Sequence, residues 1–389
     1  MSKVVGILGG GQLGLMMILE GRKLGVKFLV HDEDPQAPAL GASDGRYIGD
    51  SWMELVNRSD IVTFEFEHVN PSAIKMAEED GKLRPGSLTI RLKQDKIIEK
   101  SFLRDNGFPT PSFMIINNVE DVNRAIRRFG RVVFKVPRGA YDGKGQYYVM
   151  NDDDANRVPR EFPLLAEEFV DIHREVSVIL VRSSDGHVLT YPVTENHHHN
   201  GILLYSISPA RIDDETANNA RELAIGLANT LDYVGVLTVE FFVTRNGEVL
   251  INEFAPRVHN SGHWTLMGAA VSQFENHIRA ILGMPIGPTE LLKPSAIVNM
   301  LGVPYGDDLI RRVLMIPGTS VWWYGKTKVK PRRKMGHVNI IANNMDELGR
   351  RINEVLGVVY GNEISRYIPP WDAVESNDSR HALTTINSS

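Results

Sequence analysis

Two glutamates, Glu240 and Glu253, stand where they could share a cation. Apolar runs at 236–243 and 248–254 flank Asn246-Gly247. Asn-Gly between alternating apolar residues predicts a β-hairpin with a two-residue type I′ turn, which needs positive φ at both central positions. Such a turn pairs 245 with 248, 243 with 250 and 240 with 253. The glutamates then face each other with Cβ atoms about 5 Å apart, which is unfavourable for like charges. A hard divalent cation, which takes carboxylate oxygens together with substrate phosphates, would remove the conflict. Two unrelated glutamates on a solvated sheet face would need no cation. Arg257, His259, Asn260 and His263 crowd the next few residues and favour the metal reading.

Other groups could handle anions. Lys135 lies in an apolar run at 131–137, where a lysine needs an anionic partner or a route to water. The string RGAYDGKGQ follows at 138–146. No helix and no GK[ST] follow it, so it is not a Walker loop. Its glycines and cations suit a mobile flap over a polyphosphate; an ordinary hairpin loop is the plainer alternative. Near the start, GGGQLG at 9–14 joins an apolar run at 3–8 to a helical pattern, and Asp32 ends the next strand. This is the dinucleotide-binding fingerprint, so a nicotinamide-dependent oxidoreductase is a candidate. The same physics serves any phosphate, because glycines admit the anion and the helix N-terminus stabilises it. Glu65 closes the strand at 60–67, on the edge where open α/β sheets bind ligands; a solvated strand end fits equally. Three adjacent histidines, 197–199, would alternate sides in an extended segment, so surface or substrate contact is expected there rather than zinc. The basic run 325–334 suits one small phosphate or a solvated face. It lacks interleaved aromatics, and a formal charge of −5 argues against a nucleic-acid surface.

These groups need a scaffold. The pattern up to about residue 90 predicts a doubly wound domain, with helices at 52–58 and 71–81. A helix at 92–106 stops at Asn106-Gly107, and Phe108-Pro109-Thr110-Pro111 is an extended linker. Helices are expected at 119–129, 215–231, 265–282 and 346–356. In the third, Leu266, Ala270, Phe274 and Ile278 face inward. Strands are expected at 164–170, 175–181, 188–193, 319–324 and 337–341, and a frayed polar tail follows Trp371. The 389 residues allow two or three domains. The absence of cysteine excludes disulfides, thiolate nucleophiles and Cys-ligated zinc, and suits a cytosolic setting. The N-terminus is too short and glycine-rich for a signal peptide. No apolar run approaches the ~18–20 residues of a membrane span.

A glycine flap, a strand lysine and two glutamates on adjacent strands together resemble the ATP-grasp superfamily. Within it, GGGQLG, YDGKGQ and NEFAPRVHNSGHWT are similar to the N5-carboxyaminoimidazole ribonucleotide synthetases of purine biosynthesis, over about residues 3–370. The resemblance implies an α/β and α+β ATP-grasp fold with an N-terminal doubly wound, Rossmann-like substrate-binding domain at 1–105. A small ATP-grasp subdomain with the flap (106–180), a large subdomain with a C-terminal segment (181–372) and a polar tail (373–389) follow. It implies ATP- and bicarbonate-dependent carboxylation of aminoimidazole ribonucleotide via carboxyphosphate, with Mg2+ or Mn2+, in a cytoplasmic homodimer without nucleic-acid or membrane partners.

The resemblance also assigns residues. Glu240 and Glu253 would hold the metal, with Asn252 beside it. Arg91 and Lys135 would contact phosphates under Gly139, Ala140, Tyr141, Asp142, Gly143, Lys144, Gly145 and Gln146. Glu167, Glu168, Phe169 and Val170 would line adenine, Glu175 would accept the ribose hydroxyls, and His198 would reach the nucleotide. Gly11, Gln12 and Leu13 would take the substrate's ribose phosphate, near Glu65. Tyr141, Asp142, Lys144, Arg257, His259, Lys326 and Arg333 would surround the carboxylation centre and substrate phosphate, with Arg257, His259 and Lys144 the catalytic group. Ala255 stands where many superfamily members have a metal-binding Asn. Ala140 and Lys144 replace the commoner Gly and Arg, and lysine lacks the planar fork for a bidentate contact. A formate-dependent glycinamide ribonucleotide transformylase and a non-catalytic nucleotide sensor are the alternatives within the superfamily.

Overall fold

The computed structural model describes residues 2–139 and 144–369. Strands Val4–Leu8, Lys27–Asp32, Gly45–Ile48 and Ile61–Phe64 form a parallel sheet, with Val4–Leu8 between Lys27–Asp32 and Ile61–Phe64. Its strands are short and apolar, and Val5, Ile7, Leu8, Val30 and Phe64 are fully buried, as expected of a sheet covered on both faces. Helix Gln12–Gly21 leaves the C-terminal edge of the first strand. Gly9 makes that exit at φ +93°, where a Cβ would lie 2.6 Å from the Glu65 side chain. Only glycine lets the turn pass so close to Glu65.

A second, antiparallel sheet runs in the order Phe113–Ile116, Leu164–Glu168, Val132–Lys135, Gln146–Val149. Helix Val119–Phe129 packs Val122 and Ala125 against Phe134 and Ala166. The third sheet has nine strands. Its path is Val249–Ala255, Gly235–Thr244, Ile172–Arg182, Thr194–His199, Ile202–Ser208, Ser295–Leu301, Lys334–Ile341, Thr319–Trp323, and Val188–Thr190 pairs with Ile172–Arg182 off that path. Helices Asp214–Thr230 and Met345–Tyr360 cover its two ends. Helix Gln273–Ile281 joins the first and third sheets: Phe274 and Ile278 share one core with Met16, Phe28 and Val236. Within that contact His277 Nδ1 accepts from Val236 N (3.1 Å), and its Nε2 lies 3.0 Å from Thr63 Oγ1.

Several expected elements differ, mostly where a side chain caps the backbone. The helix expected at 92–106 is two helices, Ser87–Lys93 and Lys96–Asp105. Asp95 starts the second by accepting from Ile97 N and Ile98 N, a cap that outweighs continuation of the first helix. The helix expected at 265–282 is likewise split into Thr265–Gly268 and Gln273–Ile281, with Ser272 capping the latter and Ala270 exposed. The strand expected at 60–67 ends at Phe64, so Glu65 and Glu67 lie beyond it. The histidine run occupies strand Thr194–His199, whose partner Ile202–Ser208 had no sequence-based counterpart; nor did helix Asp307–Leu314. Ala140, Tyr141, Asp142 and Gly143 of the expected flap, and the tail from residue 370, lie outside the described residues.

Candidate active site

Glu240 does oppose Glu253, but through a different turn from the one the sequence predicts. Thr244 N donates to Glu248 O (2.9 Å), Gly247 N donates to Thr244 O (3.0 Å), and Gly247 takes φ +82° while Asn246 keeps negative φ. The loop is therefore three residues long, and Val243 pairs with Val249 instead of Leu250. A second irregularity leaves Asn252 as an extra residue opposite the Glu240–Phe241 step, which restores the 240–253 pairing as a β-bulge does.

Lysines surround this pair. Lys93 Nζ lies 2.8 Å from Glu253 Oε2 and 3.0 Å from Glu99 Oε2; Lys96 Nζ is 3.9 Å from Glu253. Lys135 pairs with Glu167, and Lys100 lies 3.1 Å from the same carboxylate. Lys96 and Lys100 project from one face of Lys96–Asp105 because they are four residues apart. One cleft is lined by Lys96, Glu99, Lys100, Lys135, Gln146, Leu165, Glu167, Asn252 and Glu253. Burial, and then Glu253, push the Glu240 carboxyl up to about 7. Partial burial acts the same way on Glu253, but Lys93 and Lys96 outweigh it and hold that group well below the usual carboxylate range. Glu167 is buried too, yet Lys100 and Lys135 bring it down to about 2.

Among the described residues no group of three or more His, Cys, Asp or Glu could hold a metal ion. A facing carboxylate pair with one member's proton affinity raised nonetheless fits Mg2+ or Mn2+ arriving on a nucleotide, since Mg2+ commonly takes one or two carboxylates and completes its shell with phosphate and water.

The remaining expected residues fall into three places. Across neighbouring strands His198 Nδ1 lies 2.9 Å from Glu175 Oε2. His197 instead contacts Glu195 at 2.7 Å and stacks on Tyr205. Ser112 N donates to Glu168 Oε1 (2.9 Å), and the Arg131 guanidinium covers the Phe169 ring at 4.7 Å. On the other side of the glutamate pair, His259 Nε2 is 3.1 Å from Glu240 Oε1, and Arg257 Nε donates to Glu67 Oε1 (3.0 Å). Burial and the nearby Arg257 and Lys334 hold His259 well below the ordinary imidazole range.

The third place is the N-terminal glycine loop. Gly10 N donates to Asp32 Oδ2 (2.6 Å), while Gly11 N and Gly14 N donate to the Glu65 carboxylate. Of the three residues expected to take the substrate's ribose phosphate, Gly11 has its amide on Glu65. The Gly10 amide occupies Asp32, which a nicotinamide dinucleotide would need for its ribose. Glu65 is raised by burial, against the pull of the Gly14 and Gly11 amides and of Lys326. Thr327 Oγ1 donates to Gln36 Oε1 (2.8 Å), tying the basic segment to the first domain. There Lys326 Nζ donates to Lys334 O (2.8 Å) and Arg333 Nη1 to Lys328 O (2.7 Å).

Arg91 is exposed and donates to Ser87 Oγ (2.8 Å). Lys96 lines the cleft. Its signal was present in the sequence as two lysines four apart after a capping aspartate. Lys93, Glu99 and Glu67 had no such signal, because each acquires its role from a tertiary partner.

Three family matches cover most of the chain: the ribonucleotide synthetase preATP-grasp domain over 1–94, the ATP-grasp domain over 101–274, and the phosphoribosylaminoimidazole carboxylase C-terminal domain over 295–351. The N5-carboxyaminoimidazole ribonucleotide synthase of Saccharolobus solfataricus is 44% identical over 92% of this chain and 96% of its own length. The crystal structure of the phosphoribosylaminoimidazole carboxylase ATPase subunit from Aquifex aeolicus has 41% identity and a TM-score of 0.80, over 92% of this chain and 99% of that one. An Aspergillus clavatus N5-carboxyaminoimidazole synthase, solved with ADP and 5-aminoimidazole ribonucleotide, has 32% identity and a TM-score of 0.84, over 92% and 98%. With the lysine-lined cleft and the glutamate hairpin, these similarities define an ATP-grasp enzyme, an ATP-dependent ligase. The chain belongs to the N5-carboxyaminoimidazole ribonucleotide synthase family.

Proposed function

We propose that the enzyme carboxylates the exocyclic amine of 5-aminoimidazole ribonucleotide with ATP and bicarbonate, in purine biosynthesis. The observation that carries this reading is the Glu240–Glu253 pair, with Lys93, Lys96, Lys100 and Lys135 on one side and Arg257 and His259 on the other. Polyphosphate charge fits the first side, and a small anionic carbonyl chemistry fits the second.

Bicarbonate attacks the γ-phosphorus of ATP in line, ADP leaves, and carboxyphosphate forms. Carboxyphosphate releases CO2 and phosphate, the substrate amine attacks CO2, and the N–H proton is lost to give the N5-carbamate. Mg2+ or Mn2+ at Glu240 and Glu253 would supply charge neutralisation on the β- and γ-phosphates. Lys96 and Lys135 add fixed positive charge, the main protein contribution expected at a phosphoryl-transfer site. Asn252 sits beside the two glutamates. Residues Gly139 to Gln146 serve as a flap that excludes water from carboxyphosphate, with Lys144 reaching the reaction centre. Glu167, Glu168, Phe169 and Val170 take the adenine; Glu175 and His198 take the ribose side of the nucleotide. Arg257 stabilises the anions. Gly11, Gln12 and Leu13 take the substrate's ribose phosphate, near Glu65, with Lys326 and Arg333 adding positive charge around it. Mg2+ use, a cytoplasmic setting and a homodimer are part of the same proposal. No helix among the described residues is long and apolar enough to cross a membrane.

Phosphate release from ATP tests this. It should require bicarbonate and rise with aminoimidazole ribonucleotide. Equal release with formate and glycinamide ribonucleotide would move the enzyme to the transformylase branch. Absence of any bicarbonate-dependent turnover would favour a sensor.

A further inference from the structure

A buried polar chain ends on the metal-side carboxylate. Ser206 Oγ donates to Asn196 Oδ1 (2.9 Å), Asn196 Nδ2 to Ser177 Oγ (3.1 Å), and Ser177 Oγ to Ser261 Oγ (2.9 Å). Ser261 Oγ is 2.9 Å from His259 Nδ1, and His259 Nε2 is 3.1 Å from Glu240 Oε1. Ser177, Ser206 and Ser261 are fully buried and Asn196 is 6% exposed. Three adjacent strands and the turn after the glutamate hairpin each contribute a link.

The direction of this chain is fixed at both ends. Asn196 gives its amide N–H to Ser177, so the Ser177 hydroxyl is free to donate onward to Ser261, and Ser261 to His259. Independently, the Ser261 backbone N–H points at His259 Nδ1 at 3.3 Å, and a backbone amide can only donate. Nδ1 must therefore present its lone pair. In neutral imidazole the proton then sits on Nε2, which faces Glu240.

We infer that Ser261, backed by Ser177, is a positioning residue that fixes His259 as the Nε2–H tautomer and, through it, orients Glu240 for the metal–nucleotide. This rests on the metal reading of Glu240 given above. It also changes the part His259 plays. With Nδ1 accepting from Ser261 and the proton on Nε2, which stands 3.1 Å from Glu240 Oε1, the ring has no free lone pair to take the substrate's proton. Outer-shell hydrogen bonds of this kind hold ligating groups in place.

Two measurements test it. Histidine-selective 15N labelling with 1H–15N correlation, assigned through His259→Asn, should show the Nε2–H tautomer at His259; an Nδ1–H tautomer overturns the inference. Mn2+ titration of the enzyme–ADP complex, followed by the EPR signal of free Mn2+, should show affinity about tenfold weaker in Ser261→Ala, with recovery in Ser261→Thr. Wild-type Mn2+ affinity in folded Ser261→Ala overturns it. If Ser261→Ala does not fold, Ser177→Ala, one link further from the histidine, is measured in the same way with the same criterion. Glu240→Gln separates the two readings. Unchanged Mn2+ affinity in that variant overturns the metal assignment and this inference with it. A loss in Glu240→Gln without a loss in Ser261→Ala overturns this inference alone.

Discussion

Lys93 Nζ sits 2.8 Å from Glu253 Oε2, so a lysine ammonium neutralises one of the two glutamates that face each other in the hairpin. The other, Glu240, stands 3.1 Å from His259 Nε2 and carries the raised proton affinity. The like-charge conflict is thus divided unequally. Lys93 also bridges to Glu99, which accepts from the Phe254 backbone N–H at 3.0 Å.

Lys93→Met removes that bridge while keeping most of the side-chain volume. Lys93 and Glu99 are 9% and 2% exposed, and stranding a buried charge costs roughly 3–5 kcal/mol. The denaturation midpoint of the nucleotide-free enzyme should fall clearly below wild type. A wild-type midpoint would mean that Glu99 is accommodated without Lys93.

The Glu240 carboxyl at about 7 gives a pH prediction with a definite sign. The native state holds this proton more tightly than the unfolded chain, where glutamate titrates near 4.3. Its contribution to stability is present below the unfolded pKa and is lost as pH rises towards about 7. Thermal melting of the nucleotide-free enzyme between pH 5 and pH 8 should therefore decline more in wild type than in Glu240→Gln. Metal binding expels the same proton, so Mn2+ affinity for the ADP complex should increase up to about pH 7 and then level off. Parallel pH curves for the two proteins would contradict the assignment.

Much of this site was legible because its residues sit on periodic elements. The apolar alternation around Asn246-Gly247 placed Glu240 opposite Glu253, and the apolar run around Val133 placed Lys135 in a strand. The pairing came out right although the turn did not: a three-residue loop moved the register by one, and the bulge at Asn252 moved it back. Neither shift has a local signal, since a bulge is decided by what the neighbouring strand demands. The breaks at Asp95 and Ser272 were visible as capping residues but were outvoted by apolar periodicity. Lys93, Glu67 and Ser177 owe their roles to residues far away in sequence, so no window around them could reveal the contact. In the glycine loop the Gly11 and Gly14 amides meet Glu65, supplied from about fifty residues on, a contact with no local signal.

Glu65→Ala should expose the glycine loop as an anion site. Two amides, Gly11 N and Gly14 N, lose their acceptor, and an unsatisfied buried polar group costs about 1–3 kcal/mol. Millimolar phosphate should then raise the melting temperature of the variant and leave wild type nearly unchanged, because the helix N-terminus would accept an external anion. Equal responses would show that the loop does not depend on Glu65.

Glu253→Gln keeps the shape of the hairpin and removes the charge that faces both Lys93 and the expected metal. Turnover should drop at least a hundredfold, the scale on which lost electrostatic stabilisation of a transition state is felt, while circular dichroism stays that of wild type. Activity within tenfold of wild type would remove Glu253 from the metal site.

Lys96 and Arg91 are two candidates for the same phosphate contact. Both are basic and lie five residues apart, yet Lys96 lines the cleft 3.9 Å from Glu253 and Arg91 is exposed on Ser87. Asp95, by capping a new helix, turns Lys96 and Lys100 towards Glu253 and Glu167, while Arg91 shares the preceding helix with Lys93. Lys96→Ala should raise the KM for ATP at least tenfold, as expected for loss of a charge-assisted phosphate contact of about 1.5–3 kcal/mol. Arg91→Ala should stay within about twofold, since an exposed side chain bonded to its own helix contributes little. ATP titrations of the two variants under saturating bicarbonate and aminoimidazole ribonucleotide decide the matter, and a larger effect at Arg91 would return the phosphate contact to the residue the resemblance first indicated.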